Sequence, residues 1–211
     1  MKKILLLGTV FASAIAANAT LYTTNWNSGF VNGTTVPDSN PAGWSDTRSL
    51  TGFDGTIQDI SVTLNLANGW NGDLYAYLVH GDGFSVLLDR VGHPASSVGY
   101  GNTGFNVTLS LSGNPIESYQ SFSPQFNGNG QLLGDWAAHS GLNTFLGENP
   151  NGSWSLFIAD LSGGGVTTVQ SWGLQMDIVA VPEVETWIAA ALAGAFGAFW
   201  LNRQIFGETK I

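Results

Sequence analysis

An all-β sandwich of two antiparallel sheets is the fold class this sequence predicts, on three observations. Apolar and polar residues alternate with period two in six separate runs through the middle of the chain. Clusters rich in Gly, Asn, Asp and Pro divide those runs: NGWNGD, HGDG, VGYGNTG, NPNG and SGGG. Between Thr20 and Thr186 no stretch carries the 3.6-residue period of an amphipathic helix. Short strands with one apolar face each bury those faces by packing sheet on sheet.

The chain opens MKKILLLGTVFASAIAANAT. Lys2 and Lys3 supply a positive start, Ile4 to Ile15 an apolar run too short to span a bilayer with ease, and Ala17–Ala19 a small-x-small pattern. These features predict a secretory signal over residues 1–19, cleaved after Ala19. The strands follow over 20–180. ISVTLNL sets Ile60, Val62, Leu64 and Leu66 on one face. DLYAYLV sets Leu74, Ala76 and Leu78 on one face, with Tyr75 and Tyr77 on the other. FSVLL aligns Phe84, Val86 and Leu88, and FNVTLSL aligns Phe105, Val107, Leu109 and Leu111. WSLFIADL and WGLQMDI align Trp154, Leu156 and Ile158, then Trp172, Leu174, Met176 and Ile178. The segment Ser112–Leu146 is less regular and is read as a long connection.

From Trp187 to Leu201 every residue is apolar or glycine. Fifteen helical residues cover about 22 Å against roughly 30 Å of bilayer hydrocarbon, so a short transmembrane helix at 187–201 is expected. Trp187 and Trp200 suit the interface, and Arg203 beyond them puts the tail on the cytoplasmic side and the main body outside.

Several chemistries are excluded. With no cysteine, thiol catalysis and Cys-based zinc sites are ruled out. Between Thr20 and Thr186 only Arg48 and Arg90 stand against ten aspartates and four glutamates. Such a surface repels nucleic acid and anionic lipid. No nucleophile elbow, HExxH, P-loop or dinucleotide fingerprint occurs. His139 and Ser140 are neighbours, but neighbours in an extended chain face opposite ways and make no dyad. His80, His93 and His139 each lie in polar or glycine-rich sequence and read as solvated loop residues. No catalytic residue is assigned.

Carboxylates at strand edges remain: Asp38, Asp54, Asp73, Asp82, Glu148 and Asp160. Calcium takes six to eight oxygens, and glycine-rich loops can supply them. Asp is also an ordinary turn residue that bonds its own backbone, and no spacing matches an EF-hand. Tyr75 and Tyr77, two rings on one face, offer a platform for sugar rings.

In order and spacing, VPDSNPAGWSDTRSL, ISVTLNL, GDLYAYL, HGDGFSVLLDR, GENPNGSWSLFIAD and VQSWGLQMD resemble the P domain (homo B domain) of the proprotein convertases, over Thr34 to Ile178. The motif before Gly-Asp-Leu departs from the family, reading NGW, and His80-Gly81 replaces its usual Ser-Pro turn. The resemblance implies a jelly-roll β-sandwich and no protease activity, since the protease residues lie in a domain this chain lacks. It also implies calcium, with Asp38, Asp73 and Asp160 at the matching positions. The tail over 181–211 resembles a PEP-CTERM sorting signal. Val181, Pro182 and Glu183 are kept, Val184 stands where a second proline is usual, and the basic cluster shrinks to Arg203. That resemblance implies an exosortase-type processing enzyme, with the protein anchored in the membrane or released to the envelope or matrix. The expected function is a non-catalytic adhesion or binding module whose partners are exopolysaccharide or envelope components, not nucleic acid. The alternatives are a carbohydrate-binding module that uses exposed aromatics, and a hydrolase accessory domain.

Overall fold

Ten strands carry the fold in the computed structural model, which describes residues 19–93, 95–180, 192 and 195–197. They are β1 (Ala19–Trp26), β2 (Asn40–Leu50), β3 (Thr56–Ala67), β4 (Leu74–His80), β5 (Gly83–Asp89), β6 (Phe105–Pro115), β7 (Gln125–Phe126), β8 (Leu132–Ala137), β9 (Gly152–Asp160) and β10 (Thr168–Val179). Six form one sheet in the order β1-β10-β3-β6-β8-β7, and four form the other in the order β2-β9-β4-β5. Ala19–Val179 is one compact unit whose two ends pair, Ala19 opposite Val179.

Alternation in the sequence becomes the core. Ile60, Val62, Leu64 and Leu66 of β3 are buried with Phe105, Val107 and Leu109 of β6 and with Trp172, Leu174, Met176 and Ile178 of β10. The smaller sheet answers with Trp44, Leu74, Ala76, Leu78, Trp154, Leu156 and Ile158. Each such aliphatic side chain contributes roughly 1.5–3 kcal/mol on burial. That is how a sequence with no cysteine forms a closed core without disulfides.

Two expectations are corrected. The larger sheet is not wholly antiparallel, because β6 and β8 pair in parallel, Phe105 opposite Leu132 through Ser110 opposite Ala137. The connection between them returns the chain to its starting end. A 3₁₀ segment, Ile116–Phe122, is pinned in it by buried Ile116 and Tyr119, and the two-residue β7 follows. In β5 the inward residues are Ser85, Leu87 and Leu88, while Phe84 is half exposed. A register shift opposite Ala76 and Tyr77 sends two consecutive leucines inward.

The expected signal sequence ahead of Ala19 and the motif Val181-Pro182-Glu183 lie outside the described residues. Of the expected helix 187–201, only Leu192 and Ala195–Gly197 are described, and they are helical. Among the described residues no helix is long and apolar enough to cross a membrane.

Candidate functional site

Strand β9 is central to the small sheet, and its last residue gathers the three aspartates singled out above. Asp160 pairs with Asn40 of β2 on one side and Leu74 of β4 on the other. Asp38 and Asp73 sit just ahead of those two strands, so the topology brings all three to one sheet end. Gly72 explains how Asp73 reaches its place. A Cβ there would lie 2.6 Å from the Tyr100 nitrogen and 2.7 Å from the Gly99 Cα. Only glycine lets the Asn71–Asp73 turn press against that loop, where the Gly72 N–H donates to the Tyr100 carbonyl at 2.9 Å. Asp73 is then locked through its backbone: its N–H donates to Trp70 and its carbonyl accepts from Leu161.

The carboxylates themselves are less well provided for. Asp160 is fully buried; its Oδ1 accepts from the Ser162 N–H at 3.2 Å and its Oδ2 has no partner. The Oδ2 of Asp73, a residue only 3 % exposed, has none either. Asp38 turns its carboxylate to the Gly164 N–H, at 3.3 and 3.4 Å. Burial, reinforced by the negative charges of Asp73 and Asp38, pushes Asp160 up to about 6. Burial also raises Asp73, against the pull of Ser162, Arg90 and His93. Arg90, which the sequence does not mark, adopts a left-handed backbone with φ 54° and donates from Nη2 to the Ser162 hydroxyl at 2.8 Å. Its Nε and the Nε2 of His93 are buried without partners.

The unpartnered oxygens of Asp73 and Asp160 are hard anionic donors of the kind calcium takes. They would supply two of the six to eight oxygens that calcium takes. They do not make a three-carboxylate cage: among the described residues no group of three or more His, Cys, Asp or Glu is placed to hold a metal ion.

The opposite end of the small sheet is also polar. His80, expected in a solvated loop, is the last residue of β4 and 3 % exposed. Its ring lies flat on Trp154, with centroids 3.9 Å apart and planes 1° apart. Nδ1 faces the Ser153 carbonyl at 3.0 Å and Nε2 the Asn149 carbonyl at 2.8 Å. A neutral imidazole donates to one of them and an imidazolium to both. Glu148 Oε2 lies 4.0 Å from Nε2, buried and without a hydrogen-bond partner. Asp82 is exposed at the hairpin tip between β4 and β5. Around them opens a cavity of about 580 Å³, bounded also by Val79, Asn149 and Ser153.

Tyr75 and Tyr77 do point away from the core, and they are half-buried. Their rings stand 6.1 Å apart; Tyr77 stacks on Phe157 at 4.7 Å and meets Phe84 at 5.1 Å. The outer face of the small sheet therefore carries four aromatic rings, two more than the tyrosine pair read from sequence. The signal for Phe157 was its parity, since it lies two residues from Ser155 and opposite Tyr77. His139 and Ser140 are no dyad. The Ser140 hydroxyl is bonded to the backbone of Val86, and His139 turns to Glu117 at 3.3 Å and Asp89 at 3.8 Å.

Residues 57–176 match the profile of the family described as Proprotein convertase P-domain. No curated protein matches the chain. Among solved structures it is similar to the serine protease of Aeromonas sobria, alone and in complex with a chaperone. Identity is 16 % and the TM-score 0.48 in each case, over 79 % and 78 % of this chain. The alignment covers 28 % of each of those two chains.

Proposed function

The chain belongs to the proprotein convertase P-domain family, and from that premise we propose that it is an exported, non-catalytic binding module of the cell envelope or extracellular matrix. One observation carries this reading. The outer face of the four-stranded sheet bears the row Tyr75, Tyr77, Phe84 and Phe157, while the neighbouring Ser140 and His139 are each engaged with other partners. The Ser140 hydroxyl is bonded to the Val86 backbone and not to His139, so that pair offers no activated nucleophile. Clustered aromatics on a surface favour a partner, because they bury large area at small entropy cost.

The same row favours a second reading within the first, a carbohydrate-binding module whose partner is exopolysaccharide. A polysaccharide array tests both. Binding that falls with Tyr75→Ala and Tyr77→Ala supports the glycan reading; binding untouched by both removes that platform. Turnover of substrate by the purified full chain would overturn the non-catalytic role.

Three further parts belong to the proposal. The sandwich follows the jelly-roll path that the P-domain resemblance implies. Calcium is held by Asp73 and Asp160, with Asp38 at the rim, and stabilises the loops at that end. The signal 1–19 is removed, and the Val181-Pro182-Glu183 tail directs the protein to an exosortase-type enzyme or anchors it by the helix 187–201. Mass spectrometry of the mature protein from native cells checks both cuts. An N-terminus at Met1 would refute the first, and an intact C-terminus in shed material the second.

A further inference from the structure

The aromatic row and the cavity beside His80 form one continuous surface. Side chains two apart on a strand share a face and stand about 6.5–7 Å apart. Tyr77 is therefore followed on its face by Val79, and Phe157 is preceded on its face by Ser155. Val79 and Ser155 are cross-strand partners, and both border the cavity. The surface thus runs from rings, through a small-residue step, into a polar cleft. Thr47 flanks the step, its hydroxyl 2.7 Å from that of Ser155.

The cleft has its own construction. A Cβ on Gly81 would meet Glu148 Oε2 at 2.9 Å, and Gly81 has φ +53°, so glycine is what lets the carboxylate lie across the turn. The backbone of Glu148 is fixed by the Ile57 N–H at 3.0 Å, which ties it to the other sheet. Its Oε2 is buried against that turn, and the side chain, 23 % exposed, presents the rest of the carboxylate to the cleft. Asp82 adds a second carboxylate, and among the described residues no Lys or Arg lines the cavity. Apolar rings beside rigid acceptors match a pyranose, which has an apolar ring face and a rim of hydroxyl donors. Two uncompensated carboxylates disfavour a glycan that carries acid groups of its own.

We propose that the outer face of the four-stranded sheet seats a glycan strand free of acid groups, laid along the aromatic row of Tyr77, Phe84 and Phe157 and led into the cleft, where Asp82, Glu148 and Asn149 hydrogen-bond its hydroxyl or amine groups. This rests on the glycan reading above and adds the direction of the chain, the cleft residues and the charge class.

Calorimetric titration of the full chain with four hexasaccharides tests it: cellohexaose, the N-acetylglucosamine hexamer, the glucosamine hexamer and the galacturonic acid hexamer. At least one of the first three binds, and the galacturonic acid hexamer does not. Tyr77→Ala and Phe84→Ala each weaken binding at least tenfold. Glu148→Gln, which keeps the shape, weakens it about tenfold, and Asp82→Asn weakens it less; melting curves of each variant confirm the fold. If Glu148→Gln and Asp82→Asn bind like the parent while Tyr77→Ala does not, the cleft is refuted and the glycan reading stands. If no hexamer binds the parent, or binding survives Tyr77→Ala and Phe84→Ala, the glycan reading falls as well. Binding of the galacturonic acid hexamer as tight as that of the others refutes the charge argument.

Discussion

Strand β9 runs from Gly152, near the His80 ring, to Asp160, beside Leu74, and each end of the small sheet buries a titratable side chain. At the His80 end both ring nitrogens face carbonyl oxygens and the ring is stacked on Trp154. At the Asp160 end two carboxylate oxygens, one from Asp160 and one from Asp73, are buried with no partner. Buried polar groups are normally bonded, so this pair is where a cation, a water or a proton would be held. The difference separates polar residues that hold the fold from those left open for something else. Glu148 refines the rule, since it belongs to the His80 end yet has one buried oxygen without a hydrogen-bond partner.

Substitution is the strongest way to break this contrast. His80→Ala removes a stacked ring and its hydrogen bonding to the Ser153 or Asn149 carbonyl from a buried site and should cost on the order of 3 kcal/mol in urea unfolding. Asp160→Asn in metal-free buffer at pH 7 should cost far less or stabilise, because it removes a buried charge and keeps an acceptor for the Ser162 N–H. Equal losses at the two ends would erase the distinction.

A smaller effect comes from pH. Asp160 is raised in the folded state to about 6, so its contribution is fully present below the unfolded value near 4 and is lost as pH rises through 6. Without metal, acidification from pH 7 to 5 should therefore stabilise the domain by about 1 kcal/mol through this group, and Asp160→Asn should abolish that gain. The smallest effect is at the hairpin tip. Asp82→Asn should change stability by less than about 0.5 kcal/mol, since Asp82 is exposed, and so affect only ligand binding.

The sequence made legible those parts of the fold that alternate cleanly. The six periodic runs are β3, β4, β5, β6, β9 and β10, of which β5 was legible as a strand but not in the face it buries. Strand β2 stayed hidden because its buried face mixes Trp44 and Leu50 with Asp46, whose carboxylate accepts from the Trp172 indole at 2.8 Å and from Arg48 at 2.6 Å. An internal polar network of that kind has no signature in hydrophobic period. Strand β1 hid for a related reason, its half-buried positions Tyr22, Thr24 and Trp26 being interrupted by a threonine. The convergence of Asp38, Asp73 and Asp160 was legible only through family resemblance, since they come from three distant segments. Arg90 beside them was not legible at all. Its role depends on a left-handed turn after β5 and on Ser162, seventy-two residues away. His80 was misread because glycine neighbours suggested a loop, while its register opposite Trp154 places it in the core.

Thermal unfolding in calcium and in EDTA, at pH 5 and at pH 7, tests the central contrast most directly. The account predicts that calcium raises the melting temperature by several degrees at pH 7, less at pH 5 where Asp160 is protonated, and not at all in Asp160→Asn. In EDTA the order reverses, and pH 5 gives the more stable protein. Curves that superpose in calcium and EDTA at both pH values, with Asp160→Asn unfolding like the parent, would contradict it: the acidic end would then be as settled as the His80 end.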